Sequence, residues 1–479
     1  MQFSSGPDPT DLLTLPWSTA LADWPKEKLV SLPRGISRHV VRFVRIGGIV
    51  YAIKEISQGL AEHEYQLLRD LAKIGIPVVQ AVGVVANRTT PDGEPLDAAL
   101  LTKHLRFSLP YRALFSRRLD PDLESKLLDA LAELLVRLHL AGFAWKDCSL
   151  SNTLFRRDAG ALAAYLVDAE TGELRPELSR GQRYQDLDIV ETNVAGELLD
   201  LQMSGLLSET VDPLETAVSV IERYERLWAE LTAPQTMGED EWWRIEQRLR
   251  RLNELGYDVA QLQINEKEGE PHVLVQTQVV EAGHHQRRLF NLTGLHMQEN
   301  QARRVLNDLD TYRSRAVMPE TEVDEDTVAR HWVTDVFEPV IEAVPARLSE
   351  KLEPAEIFHE VLEHRWFLSE AAGHEVPVQK AVDSYLDTIL PYRPDEHSLL
   401  DPDLMGNGLG LSERLDEHGY PDEEDDSVAD AGSDPGSEAG SDAAWERAAV
   451  RYDPDADLTS TDLSPDLSPD LSSADRAAR

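Results

Sequence analysis

At Asp120 the hydrophobic pattern changes period, and that change limits the folds open to the chain. Residues 35–105 read as mainly strand. Val40–Ile46 and Ile49–Ile56 are runs rich in β-branched residues, separated by Gly47-Gly48, a two-residue hairpin signal. A helix is predicted next, with Ser57 at its N-cap and Gly75 just past its end; Leu60, Leu67, Leu68 and Leu71 form its apolar stripe. Two further strands, 78–85 and 98–105, then flank the polar loop NRTTPDGEP. From Asp120 the period is that of a helix. Asp120-Pro121 suits an N-cap and first helical position, Leu123, Leu127, Leu131, Leu134, Leu135 and Leu138 make one face, and Gly142 closes it. The expected class is α+β, a sheet with one helix followed by a helical portion.

Two compositional shifts divide the rest. Helices are expected over 209–231 and 239–255, then strands over 259–265 and 272–280 joined through KEGE, then helices over 284–313, 326–343, 354–371 and 377–389. From Tyr420 to Arg479 there are 17 acidic and 4 basic residues in a segment dominated by Asp, Ser, Ala, Gly and Pro, with the repeat DLSPDLSPDLSS at 462–473. Such a segment buries too little apolar surface to offset its ordering entropy and reads as disordered. The expected organisation is an N-terminal extension (1–34), a two-lobed domain (35–207, with lobes of about 35–105 and 106–207), a mainly helical domain with a β-hairpin (208–395), and an acidic tail (396–479).

Charge and cysteine content narrow the partners. With 87 acidic and 47 basic side chains the formal charge is −40, which repels nucleic-acid backbones and anionic membrane surfaces. Cys148, the single cysteine, allows no internal disulfide and no thiolate zinc site. Beside Asp147 its thiol is expected to be inert, because a neighbouring carboxylate raises its pKa. No stretch approaches 18 consecutive apolar residues and the first residues lack a signal-peptide pattern, so a cytoplasmic protein is expected.

The segment 145–170, Trp-Lys-Asp-Cys-Ser-Leu-Ser-Asn followed after a hairpin by Asp168-Ala169-Glu170, carries the chemistry. Phosphoryl transfer needs a positioned hydroxyl, an acceptor for its proton, and oxygen ligands holding magnesium against phosphates. Asp147, Asn152 five residues on, and Asp168 at the end of the adjoining strand supply such oxygens on one edge of a hairpin. Upstream, Lys54 lies on the strand before the helix. Helical periodicity puts Glu64 inside the apolar stripe and Glu62 on the wet face, so Glu64 is the expected partner of Lys54, because a carboxylate buried alone is costly.

These residues resemble the protein-kinase-like fold, and within it the lipopolysaccharide Kdo-kinase/RIO-like branch, over about residues 35–200. Strand lysine, helix glutamate, the hinge-like LLTKHL, D-x-x-x-x-N and the metal aspartate occur in the family's order. The resemblance implies ATP and Mg²⁺ as cofactors, Asp147 as catalytic base, and Asn152 and Asp168 as metal ligands. It implies Lys54 and Glu64 as the phosphate-positioning pair, and the backbone of Lys103 and Leu105 as the adenine contact. It implies transfer of the γ-phosphate to a hydroxyl acceptor that the sequence does not identify. A protein partner would use residues 208–395 or the tail, and the second unit is similar to an uncharacterised domain that often follows this module. Departures stand beside the match: Trp145-Lys146 replaces His-Arg, Ala169-Glu170 replaces Phe-Gly, the segment 32–37 has one glycine where protein kinases have three, and no Ala-Pro-Glu follows Asp168. Glu170 has two readings, a metal oxygen or a cap for the next turn. The alternative function is a nucleotide-binding pseudokinase that presents the second domain to a partner.

Other patterns carry weaker readings. The basic run His284–Arg288 with Arg303-Arg304 lies in helix, Thr-Gly turn, helix; a DNA-binding regulator through 284–313 is weighed against an αα-hairpin with a solvated basic edge, and the acidic balance favours the hairpin. His359-Glu360-Val361-Leu362-Glu363-His364 fits no zinc spacing and is expected to be a solvated helix side. Trp242, Trp243, Trp332 and Trp366 are expected as core or interface anchors.

Overall fold

The computed structural model of the protein describes residues 2–3, 12–30, 39–115, 121–238, 243–266, 272–316 and 324–393. The acidic tail and the glycine-poor segment 32–37 therefore lie outside the described residues.

The first sheet is built from β1 (Val40–Ile46), β2 (Ile49–Ile56), β3 (Gln80–Val85) and β4 (Ala98–Lys103), with Gln2–Phe3 at one edge. Its antiparallel order is Gln2–Phe3, β3, β4, β2, β1. Gly47 and Gly48 both take positive φ (56° and 79°), as the tight β1–β2 turn requires. Helix α1 (Gln58–Lys73) packs Ala61, Glu64, Tyr65, Leu67, Leu68 and Leu71 inward. Leu60, expected in that stripe, is exposed instead, and Ser57 occupies the N-cap without a side-chain cap bond.

The other face of the sheet is covered by residues of the N-terminal extension. Leu12, Leu21 and Trp24 pack against Val44, Tyr51, Ile53 and Leu101, burying apolar surface worth roughly 1.5–3 kcal/mol per side chain. Arg88 fastens this strap, donating to the Trp17 and Thr19 carbonyls and pairing with Glu55 at 2.6 Å.

The following lobe contains α2 (Pro121–Leu140), a hairpin of β5 (Thr153–Asp158) and β6 (Ala161–Leu166), α3 (Arg180–Met203) and α4 (Pro213–Thr232). Leu109–Pro110 adds a short strand to β5. After α2, Gly142 (φ +81°) leads into Phe143–Ala144, which pairs with Glu173–Leu174. Helix α3 starts at a capping box, Ser179 with Gln182. One apolar core runs from Ile56 through Leu127, Leu135, Val190 and Leu198 to Tyr224 and Tyr257, so α4 packs into the core of this lobe.

Beyond it lie α5 (Trp243–Glu254), the hairpin of β7 (Tyr257–Glu266) and β8 (His272–Ala282), α6 (His284–Thr293), α7 (Glu299–Ala316), α8 (Glu325–Trp332), α9 (Pro354–Ala372) and α10 (Val378–Thr388). A second core gathers Leu289, Leu306, Trp332, Phe358 and Tyr385. The β5–β6 turn is where the two meet: Asp158 accepts from the backbone N–H groups of Asn300 (3.1 Å) and Gln301 (2.8 Å), and Glu356 accepts from Ala159 N–H (3.0 Å). The fold is thus a kinase-like N-terminal part followed by a helical region, as the α+β expectation has it. Among the described residues no helix is long and apolar enough to cross a membrane.

One surface expectation is corrected. His359 and Glu360 are buried, because α7 and α10 cover that side of α9. Trp366 is 53% exposed, whereas Trp332 is fully buried and its indole N–H donates to Asp308 (2.8 Å). Trp242 lies outside the described residues, as does the side chain of Trp243.

Candidate functional site

Lys54 sits on β2, opposite Val41 of β1 and Leu100 of β4, and the strand's alternation turns it toward α1. It is 9% exposed, and its Nζ lies 3.2 Å from Glu64 Oε2, 2.6 Å from Asp168 Oδ2 and 2.7 Å from Glu170 Oε2. Glu64, 1% exposed, also accepts from Ala169 N–H (3.3 Å), whereas Glu62 is exposed. Glu170 reaches a second partner, His39 Nε2, at 3.2 Å. Three carboxylates therefore converge on one ammonium, with Glu170 as a member of the cluster.

The loop between α2 and β5 is joined to this cluster at two places. Asn152 accepts at its carbonyl from Val167 N–H (3.0 Å), one residue before Asp168, as the pairing Thr153 with Leu166 dictates. Trp145 is fully buried, and its indole N–H donates to the Asp168 carbonyl (2.8 Å) while its carbonyl accepts from the Thr171 hydroxyl (3.0 Å). The residue that departs from the family pattern thus ties the loop to the turn that carries Asp168. Within the loop, Asn152 Nδ2 donates to the Asp147 carbonyl (3.0 Å) and lies 3.4 Å from Asp147 Oδ2. Lys54, Glu64, Asp168, Asn152 and Asp147 form one connected set. Lys103 lies three residues further along the sheet, opposite Tyr51, about 10 Å from the Lys54 position at strand rise. The Leu105 carbonyl accepts from the Ser108 hydroxyl (2.7 Å).

Charge follows from this crowding. Burial works against the Lys54 ammonium, but Glu64 and Asp168 outweigh it and hold its pKa above the usual lysine value. Burial, with Asp168 beside it, pushes Glu64 up to about 8 against the pull of Lys54. Glu170 is opposed by burial, yet Lys54 and His39 keep it below the ordinary carboxylate range. Three acids around one ammonium leave the cluster net negative, which is why the Asp168 charge adds to burial in raising Glu64. Cys148 is buried and its thiol is raised well above normal, first by burial, then by Asp186 and Glu197, with Asp147 the smallest contributor. The inert reading of the thiol stands; its main cause is desolvation.

Sequence reasoning missed the helix that supports the loop. Asp186 on α3 accepts from the backbone N–H groups of Trp145 (2.7 Å) and Lys146 (2.6 Å), and His139 Nε2 lies 3.1 Å from it. Lys146 takes a positive φ of 62°, and the contact with Asp186 holds it in that left-handed conformation. The one signal in the sequence is the spacing of polar residues on a face otherwise made of Val190, Val194 and Leu198.

A lysine–glutamate pair between sheet and helix, and a loop Asp and Asn bonded to the turn of a hairpin-terminal Asp, lie in a kinase-like fold. The comparisons agree with that class. Residues 50–208 match the lipopolysaccharide kinase (Kdo/WaaP) family, and residues 226–390 match a domain of unknown function, DUF4032. No curated protein matches the chain. A solved structure of WaaP in complex with acyl carrier protein covers 53% of this chain and 99% of that chain at 19% identity, with a TM-score of 0.32, too low to carry an argument.

Proposed function

We propose that the protein is an ATP- and Mg²⁺-dependent phosphotransferase acting on a hydroxyl acceptor. The observation that carries this reading is the contact of the Lys54 ammonium with Glu64 and Asp168, on a turn bonded to the loop of Asp147 and Asn152. A hard divalent cation takes oxygen ligands, and Asp168 has carboxylate oxygens of Glu64 and Glu170 within 4.8 Å of its own. Asp168 and Asn152 would hold Mg²⁺, which neutralises charge on phosphate oxygens when bound. Lys54, steadied by Glu64, orients the phosphates, and the backbone of Lys103 and Leu105 contacts the adenine. Asp147 accepts the proton of the acceptor hydroxyl as its oxygen bonds to the γ-phosphorus and the bond to ADP breaks.

Glu170 favours a second reading, a nucleotide-binding module without transfer, because it already occupies the ammonium that phosphates need. The basic run at 284–304 gives the DNA reading little support: Arg287 pairs with Asp258 (2.6 Å), Arg288 with Glu325 (3.3 Å), and Arg303 donates to the Glu254 carbonyl (3.2 Å).

Turnover and binding separate the first two readings. Mg-ATP is expected to raise the melting temperature of the wild type and of Asp147→Asn, but not of Lys54→Met. ATP turnover is expected to fall about 100-fold or more in Asp147→Asn, the span of a lost general base. Equal turnover in wild type and Asp147→Asn removes Asp147 from the mechanism; a thermal shift with no turnover in the wild type selects the idle module.

A further inference from the structure

Helix α3 turns a polar stripe toward the loop 145–152. Asp186, Asn193 and Glu197 recur at spacings of seven and four, within about 40° of one another on the helix and over about 16 Å of its length. Each engages a different part of the loop. Asp186 takes the N–H groups of Trp145 and Lys146; Asn193 Nδ2 donates to the Cys148 carbonyl (3.0 Å), just after Asp147. Glu197 accepts from two consecutive N–H groups, Leu150 at 2.7 Å and Ser151 at 3.0 Å, just before Asn152. The Asn152 N–H itself donates to the Ser149 hydroxyl (3.2 Å). Asp147 and Asn152 are thereby suspended between points fixed to one helix.

A carboxylate there is not needed for packing. Its neighbours Leu198 and Leu201 are fully buried, and burial raises the Glu197 pKa despite the Ser151 and Leu150 donors. An acid kept against that cost does something leucine does not, which here is to order backbone donors.

We infer that Glu197, assisted by Asn193, is a positioning residue for phosphoryl transfer, holding Leu150 and Ser151 so that Asn152 and Asp147 keep their mutual geometry. The inference rests on the phosphotransferase reading above. Its effect falls on the chemical step, because Lys54 and Glu64 stand on β2 and α1, which Glu197 does not touch.

The test is Glu197→Gln in the full chain, an isosteric change that leaves one of the two N–H groups facing an amide donor. Turnover at saturating Mg-ATP is expected to fall about 30-fold, the scale of one charge-assisted hydrogen bond, with the KM for ATP within about twofold of wild type. Hydrogen exchange in a peptide spanning 145–152 is expected to quicken, while α2 peptides keep their wild-type rates. Asn193→Ala, with Glu197 intact, is expected to give the same pattern more weakly and serves if Glu197→Gln does not fold. Unchanged turnover, or a raised KM at constant kcat, overturns the inference, as does unchanged exchange over 145–152. If the wild type turns over no ATP, the phosphotransferase reading fails by itself, and exchange over 145–152 still decides whether Glu197 orders the loop.

Discussion

His359 shows how far a single side chain departs from its sequence context. Buried on α9, it is pushed down to about 4 by loss of water and by the Arg304 charge, against the pull of Glu360. Unfolded, the same imidazole takes a proton below about pH 6.5. Between those values the unfolded chain binds more protons than the folded one, so this residue's share of stability is present above pH 6.5 and lost as pH falls toward 4. Melting temperatures measured from pH 7 to pH 5 are therefore expected to fall less steeply for His359→Gln than for the wild type; parallel curves would place the acid sensitivity elsewhere. The motif His359–His364 could not show this, because what buries it comes from two other helices, α7 and α10. Glu360 likewise accepts from the Tyr385 hydroxyl at 2.7 Å. Glu64 was legible for the opposite reason. Its partner Lys54 lies ten residues away on the preceding strand, so a short-range periodicity argument reached both.

Elements are legible where their apolar faces are clean and obscure where polar groups interrupt them. The strands β1 to β4 and helices α1 and α2 follow their patterns, and the Thr-Gly turn between α6 and α7 is observed with Gly294 at φ +74°. Helix α3 has no clean signature in the sequence, because Asp186, Asn193 and Glu197 interrupt its inward face. The strap over the first sheet was missed because residues 12–30 make only short turns, and its packing depends on strands that follow in sequence. The turn after α2 offers a sharp test at this scale. A Cβ on Gly142 would stand 1.9 Å from the Arg175 carbonyl oxygen, at a φ that L-residues resist. Gly47, also at positive φ, has open space around it. Gly142→Ala is expected to cost more than about 2 kcal/mol, and Gly47→Ala about 1 kcal/mol, seen as a larger fall in melting temperature for the former. Equal shifts would mean that the Phe143–Leu174 pairing yields without penalty.

At the scale of the whole molecule, charge and connectivity dominate. A formal charge of −40 makes the compact state repel itself, and salt screens that repulsion. Raising sodium chloride from about 20 mM to about 500 mM is expected to raise the melting temperature, and a fall would mean that the ion pairs at Arg88, Arg223 and Arg251 outweigh the net charge. The order of the site residues along the chain was legible in the sequence; the sharing of cores was not, since no local pattern reports which distant helix fills a gap. Helix α4 completes the first core through Ala217, Val220 and Tyr224, yet it lies wholly outside residues 50–208, the span of kinase-family similarity. A gene fragment cut where that similarity ends would strand Val190 and Leu198 in water. What can be inherited or transplanted as a working piece is longer than what homology marks out.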